Sequence, residues 1–250
     1  MKNIQVIDIG KCEQCKIRSC CFTDAKVKEV AFKLVSETTV CPVALLVESP
    51  LEIIDEHSKK IKEGSCIECN LCALSCRFKN LKVLNSDSLS DNFEYLNEKQ
   101  YNAIANAYLN HLFDFAANTN RNKAIGFNGY CVTHDGEEGF VEVDYNNDSL
   151  ECVRRILADV ALYRPSGDKV INGIVVLKDI PKIGTHDVVN LIKKMSQFPK
   201  TADIKIYFTT FAILKFLATN VIGKEYKFND LLFDINSDYK AYIKRIRRLH

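Results

Sequence analysis

The sequence predicts two domains of different class: a cysteine-rich domain over residues 1–85 and an α/β domain with a mixed sheet over residues 93–250. Three observations support this division. Nine of the eleven cysteines lie before residue 77. Asn85–Asn92 is a short polar segment of the kind that joins domains. After this segment the apolar residues recur with the periodicities of helices and strands in turn.

The later half of the cysteine-rich domain contains a regularly spaced run. Two, two and three residues separate its four members, which are Cys66, Cys69, Cys72 and Cys76. This spacing is typical of bacterial ferredoxins, in which the fourth thiolate of the run ligates a second cluster. A zinc site needs only four sulfurs in two pairs, usually with a longer gap between the pairs. The run therefore predicts iron–sulfur ligation.

An upstream segment repeats this pattern less regularly. Ile7-x-x-Gly10-x-Cys12-x-x-Cys15 matches the segment from Ile61 to Cys69 position for position. Cys20, Cys21 and the Cys41-Pro42 pair follow it. With these duplicated halves, residues 1–85 resemble the bacterial ferredoxins that contain two [4Fe–4S] clusters. The resemblance implies an α+β ferredoxin-like iron–sulfur domain.

The resemblance also implies that each cluster takes three cysteines from one half and the fourth from the other. The first ligand set would be Cys12, Cys15, one of Cys20 and Cys21, and Cys76, and the second would be Cys41, Cys66, Cys69 and Cys72. Arg18 stands where the third ligand of the first half is expected, and residues 23–39 form an insertion with helical spacing. One cluster with a zinc or degenerate second site is the alternative, and a set of buried or disulfide-linked cysteines is a further one.

The composition and the N-terminal residues indicate the cellular compartment and the kind of partner. The chain enters a strand directly after Met1, which leaves no room for an export signal, and no stretch approaches the eighteen apolar residues of a membrane span. Eleven cysteines without such a signal suggest metal thiolates in a reducing cytoplasm. The formal charge of +2 neither predicts nor excludes a polyanion. We expect a cytoplasmic protein with a redox partner protein and no membrane association.

The first half of the α/β domain is predicted as a helix, a hairpin and a second helix. Residues 123–132 and 139–145 form the two strands, and a turn beginning at His134 joins them. Asp148 or Ser149 caps the second helix, with Glu151 near its third position. The apolar stripe of the first helix is Tyr101, Ile104, Ala105, Tyr108, Leu112 and Phe115, and that of the second is Leu150, Val153, Leu157 and Val160.

The second half is predicted as strand, helix, strand and helix. Val170–Leu177 is a β-branched apolar run suited to a central strand, and Ile204–Thr209 is of the same kind. Asp187–Phe198 and Phe211–Ala218 are the helices. Two successive strand–helix–strand units imply parallel pairing. The domain has no glycine-rich phosphate loop, and Cys131 and Cys152 are expected to be small buried hydrophobic residues.

A set of acidic residues in the α/β domain suggests a site for a divalent cation. Asp135 lies in the hairpin turn, and Glu142 and Asp144 alternate along the following strand, so these two could converge on one Mg²⁺ ion. The order of the elements and this acidic strand together loosely resemble the restriction-endonuclease-like fold. Asp144 stands at the position where that fold has a lysine, and only Arg154 or Arg155 can substitute for the lysine. Alternatively, Glu142 and Asp144 form the solvated face of an edge hairpin.

The C-terminal segment is basic. Lys240–Arg248 contains five cations, Tyr239 precedes them, and Tyr242 and Ile246 lie between them. The segment could meet a phosphate backbone, or it could be a solvated helix end whose cations complement the helix dipole.

Two function classes follow from the sequence as a whole. The first is electron transfer or redox sensing by two [4Fe–4S] clusters coupled to an α/β effector or docking domain, and the alternative is a nucleic-acid-binding or Mg²⁺-dependent nuclease-like protein in which the clusters are structural or sensory.

Overall fold

A computed structural model describes residues 4–8, 11, 67–76, 78–83, 89–118, 128–146, 148–163, 171–178, 186–198, 201 and 203–249. The chain divides into two compact units, Met1–Ile104 and Ala105–His250. The division falls within a helix, C-terminal to the predicted linker Asn85–Asn92. The predicted helix within residues 23–39 lies outside the described residues.

The first unit contains a small antiparallel pair of strands. Strand β1 (Ile4–Val6) pairs with β2 (Leu81–Val83), so segments from the two ends of the cysteine-rich region lie side by side. The one-turn helix α1 (Leu71–Leu74) precedes β2, and a 3₁₀-helix (Asp91–Tyr95) follows it. Helix α2 (Glu98–Leu112) begins in this unit and continues into the second.

Helix α2 begins where sequence chemistry favours a helix start. The Asn97 side chain accepts a hydrogen bond from Gln100 N, and the Gln100 side chain accepts one from Asn97 N, which is a capping box. The Tyr101 hydroxyl donates to Phe93 O at 2.7 Å, and the two rings pack edge to face with centroids 5.1 Å apart. These contacts tie the 3₁₀-helix to the start of α2.

The second unit is built on a six-stranded mixed sheet. Its strands are β3 (Phe115–Asn118), β4 (Gly129–Val132), β5 (Glu138–Asp144), β6 (Ile171–Leu177), β7 (Lys205–Thr210) and β8 (Phe233–Asp234), and they lie in the order β3-β4-β5-β6-β7-β8. The helices described in this part of the chain after α2 are α3 (Ser149–Tyr163), α4 (His186–Met195), α5 (Phe211–Asn220), α6 (Phe228–Leu231) and α7 (Tyr239–Ile246). Strands β5, β6 and β7 are parallel, and the remaining pairs are antiparallel. Helix α3 connects β5 to β6, and α4 connects β6 to β7.

One face of this sheet is covered by α3. The register pairs Phe140 with Gly173 and Glu142 with Val175, and side chains alternate along each strand. A Cβ on Gly173 would lie 2.5 Å from a methyl carbon of Ile156, so the helix packs directly on the strands. Phe140, Glu142 and Asp144 therefore point towards α3.

Helices also cover the opposite face. A Cβ on Gly139 would lie 2.9 Å from the Phe228 ring of α6, and one on Gly129 would overlap the Asn106 side chain of α2. Val141 and Val143 project to this side and are fully buried. The second unit thus has three layers, with the sheet between helices.

Most of the predicted elements of the α/β domain are confirmed. The hairpin is antiparallel, the two strand–helix–strand units are parallel, and β6 is a buried central strand. Residues 123–127 of the first predicted strand lie outside the described residues. Asp148 is the cap of α3, because its side chain accepts from Glu151 N at 3.0 Å. Cys131 and Cys152 are buried, as expected.

Two helical assignments were wrong in detail. Phe115 begins β3 rather than ending the preceding helix, and its side chain is half-exposed. Leu150 is exposed at the start of α3, where Cys152 and Ile156 join the buried face instead. The sequence patterns did not predict strands β3 and β8 or helix α6. They are short, and β3 directly continues a helical pattern of apolar residues.

Candidate metal centre and acidic strand

Three of the predicted cluster ligands lie in the described part of the first unit. Cys69 precedes α1, Cys72 lies within it, and Cys76 follows it. All three are buried thiols. The remaining predicted ligands, which are Cys12, Cys15, Cys20, Cys21, Cys41 and Cys66, lie outside the described residues.

The backbone around these thiols adopts unusual conformations. Glu68 and Asn70, on either side of Cys69, have φ angles of 58° and 64°, and Lys79 has a φ of 50°. A residue such as glutamate or lysine occupies this left-handed region at a cost of about 1–3 kcal/mol, whereas asparagine enters it more readily. Here two of the three such residues flank Cys69.

The Cys76 sulfur accepts a backbone hydrogen bond. Asn80 N lies 3.3 Å from Cys76 Sγ and donates to it. Lys79 N donates to Cys76 O at 2.9 Å, which closes the turn that follows α1. Hydrogen bonds to sulfur are among the protein features that set the potential of an iron–sulfur cluster.

The donor set in this segment fits an iron–sulfur cluster. Soft thiolates are the ligands that such clusters require, and this segment has three within eight residues. Across the described ranges, no group of three or more His, Cys, Asp or Glu side chains is arranged to hold a metal ion. The crossed assignment places only Cys69 and Cys72 on one cluster and Cys76 on the other, so it expects no group of three within these ranges.

The acidic strand is not the solvated edge that one interpretation predicted. Strand β5 pairs with β4 on one side and β6 on the other, so it lies inside the sheet. Glu142 and Asp144 are 0% and 3% exposed. The edge-hairpin interpretation was wrong because a third, parallel strand covers the side of β5 that it had left open.

Each buried carboxylate has a partner on α3 or in the loop that precedes it. Glu142 Oε2 lies 2.8 Å from an Arg155 guanidinium nitrogen. Asp144 Oδ1 accepts backbone hydrogen bonds from Asn146 N at 3.1 Å and Asp148 N at 2.8 Å. The first contact offsets the cost of burying a charge, and the second shapes the loop that leads into the helix.

Asp135 does not join this pair. It precedes the first residue of β5, whereas Asp144 is the last, and a strand of this length extends over about 20 Å. Its carboxylate instead lies 2.6 Å from Lys227 Nζ and accepts from the Thr133 hydroxyl. These two hydrogen bonds lower the pKa of Asp135 to about 2. The structure therefore separates Asp135 from the other two candidate ligands.

Cys152 lies beside the acidic pair and was not predicted there. Arg155 donates to its sulfur at 3.7 Å. Burial, together with the nearby Asp144 carboxylate, raises the pKa of Cys152 to about 12. Burial also raises the pKa of Cys131. Both side chains are therefore neutral thiols at physiological pH and poor nucleophiles.

The C-terminal basic segment forms α7 and the turn after it. Tyr242 and Ile246 are buried, and the Tyr242 ring packs on Phe233 with centroids 5.4 Å apart. Their burial leaves the five cations exposed, and these are Lys240, Lys244, Arg245, Arg247 and Arg248. Tyr242 is thus a core residue and is not available to stack on bases. Among the described residues, no helix has the length and apolar character needed to cross a bilayer.

Comparison with known proteins adds no relative. No family model matches the chain, and no similar protein was found among the curated proteins or the solved structures.

Proposed function

We propose that this protein is an iron–sulfur protein that binds two [4Fe–4S] clusters for electron transfer or redox sensing. The supporting observation is the environment of Cys76, whose buried sulfur accepts a hydrogen bond from Asn80 N within a run spaced as in two-cluster ferredoxins. When bound, the clusters supply one-electron chemistry. The chain contributes thiolate ligands, exclusion of water and hydrogen bonds to sulfur.

The left-handed residues beside Cys69 support the same proposal. The left-handed conformation of Glu68 is strained and needs a compensating interaction, and coordination of the adjacent Cys69 thiolate would supply one. Metal binding and folding are coupled in small metal-binding domains, so the binding free energy can stabilise such a loop. The second unit then acts as an effector or docking domain for a redox partner protein.

Anaerobic purification with iron and sulfide counting tests this proposal. About eight irons per chain are expected for two cubane clusters, with a visible absorption band that bleaches reversibly on reduction. About four would mean that the irregular first half is not a complete site, and none would contradict the proposal. Cys72→Ser should lower the iron content, whereas Cys152→Ser is a matched control that alters a buried thiol in the other unit and should retain all of it.

A second candidate function, nucleic-acid binding or Mg²⁺-dependent cleavage, is favoured by one observation. Glu142 and Asp144 share a face at the end of a central strand, with Arg155 at 2.8 Å from Glu142. A cation held by this pair would have to displace the guanidinium from Glu142. The exposed cations of α7 would then contribute contacts to phosphates.

Cleavage assays separate this candidate from the first. Mg²⁺-dependent cleavage should disappear in Glu142→Gln and Asp144→Asn and persist in Asp135→Asn, which alters an acid that lies away from the pair. Equal cleavage in all variants would exclude the acidic strand as the site. Salt-dependent binding without cleavage, weakened by Lys240→Ala with Lys244→Ala, would indicate a binding module instead.

A further inference from the structure

Asn80 connects the cysteine run to the N-terminal segment of the chain. Its side chain is 2% exposed. The Asn80 amide group donates from Nδ2 to Asp8 O at 2.5 Å and accepts from Asp8 N at Oδ1 at 2.8 Å. Ile7 N also donates to Asn80 O at 2.9 Å. The side chain thus binds the main chain of Asp8, a residue 72 positions away.

These contacts extend the β1–β2 ladder beyond its last backbone pair. Val6 pairs with Leu81, and the next residue, Ile7, bonds to the Asn80 carbonyl. At Asp8 the amide group of the Asn80 side chain takes over both the donor and the acceptor roles of a neighbouring strand. An amide offers both roles at once, which a carboxylate or an apolar side chain does not.

The same residue also contacts a predicted ligand. Asn80 N donates to Cys76 Sγ at 3.3 Å. Asp8 lies four positions before Cys12, the first cysteine of the set that Cys76 is expected to complete. An extended chain covers at most about 14 Å in four residues, so the position of Asp8 restricts the separation of these two ligands.

We propose that Asn80 is a positioning residue for the cluster that Cys76 ligates. Its side chain holds the segment leading to the first cysteine group against the Cys76 turn. Its backbone N–H draws electron density from the Cys76 sulfur. Asn80 touches no reacting atom and acts through Asp8 and Cys76. The inference depends on the proposed iron–sulfur function and adds that one residue couples the two halves of the duplicated domain at a single cluster.

The test compares anaerobically purified full-length protein with Asn80→Ala and Asn80→Asp. The matched control is Lys82→Ala, which removes an exposed side chain from the adjoining strand. The readouts are the rate of iron release to a ferrous chelator and the midpoint potentials of the two couples. Losing an outer-shell partner usually lowers metal affinity about 10- to 100-fold, and we expect the release rate to carry this loss. In Asn80→Ala, about half of the iron should therefore leave about 10- to 100-fold faster. The backbone N–H of residue 80 is retained in this variant, but the turn that positions it loses its side-chain bonds to Asp8, so one potential should shift. The other potential should stay at the wild-type value.

Asn80→Asp retains the acceptor for Asp8 N but loses the donor to Asp8 O. Its release rate should lie between those of the wild type and Asn80→Ala. This variant decides the question if Asn80→Ala is unfolded by far-UV circular dichroism. Release at the wild-type rate would overturn the inference, and so would equal acceleration of all the iron, which a general loss of stability produces.

The two proposals fail in different ways. A wild-type protein that contains no iron would overturn the iron–sulfur function and this inference with it. A wild-type protein with about eight irons, together with Asn80 variants that keep both potentials and both release rates, would overturn only the role of Asn80.

Discussion

The two compact units differ in what their interiors contain. In the described part of the first unit, buried thiols lie next to buried polar residues such as Glu68, Asn70 and Asn80. In the second unit, the two faces of the sheet are largely apolar, with fully buried valines on β5 and β6. Burial of apolar surface provides about 25 cal/mol per Å² and stabilises a sheet between helices. Buried thiols and polar side chains gain less than apolar ones from leaving water, and metal ligation is a further source of stability for the segment that contains them.

Removal of iron should produce the largest difference in stability between the two units. A chelator under reducing conditions should abolish the cooperative unfolding of the first unit, because under the proposed function its thiolates and left-handed residues then lose the ligation that offsets their cost. Residues 105–250 should keep their protection from protease. Limited proteolysis with mass spectrometry measures both. Equal protection of the first unit with and without iron would contradict this expectation.

Truncation of a core aromatic residue should affect the second unit by about 3–5 kcal/mol. Phe228 packs its ring 5.0 Å from that of Phe113 and 6.0 Å from that of Tyr207, against the surface of Gly139. Urea denaturation of Phe228→Ala should show this loss, whereas the iron content stays unchanged. Ile222→Ala, at a 93% exposed position, is the control and should match the wild type. A large loss in the control would show that the apolar core is not what determines stability here.

Two adjacent arginines allow a comparison between a buried ion pair and one that solvent reaches. Arg155 pairs with the fully buried Glu142, whereas Arg154 pairs with an exposed glutamate, Glu151. Arg155→Ala should cost about 3 kcal/mol, because it removes the guanidinium that lies 2.8 Å from a buried carboxylate. Arg154→Ala should have a much smaller effect on the denaturation midpoint, since solvent screens its pair. Adding Glu142→Gln to Arg155→Ala should recover part of the loss, and equal effects of the two arginines would contradict the assignment.

The smallest expected effect is a pH dependence at the hairpin turn. Hydrogen bonds from Lys227 and Thr133 lower the pKa of Asp135 from 3.8 to about 2. A carboxyl group with a lowered folded-state pKa stabilises the protein above its unfolded pKa and loses that contribution as the pH falls. The stability difference between the wild type and Asp135→Asn should therefore be constant above about pH 5 and shrink between about pH 4 and pH 2. A difference that does not change with pH would show that the Lys227 contact is not electrostatic in effect.

Local sequence patterns predicted the helices and strands of the second unit better than they predicted the surroundings of its acidic residues. The apolar runs that became β6 and β7, and the cap at Asp148, follow from residue types at short spacing, so they were predictable. Strand β3 was missed because Phe115 continues a helical spacing, and only pairing with β4 makes it a strand. The burial of Glu142 and Asp144 was missed because it depends on β6, which begins 27 residues after the end of β5.

The sequence by itself determined the periodicity of the helices and strands and the spacing of the cysteines, because these depend on residues within a few positions of one another. The expectation of two [4Fe–4S] clusters comes from that spacing and stays a prediction. The tertiary structure alone decided that Glu142 meets Arg155 beneath α3 and that Asn80 binds the main chain of Asp8 beside Cys76. Both contacts form between segments that only the folded chain brings together, and hydrogen bonds of this kind leave no periodic trace in the sequence.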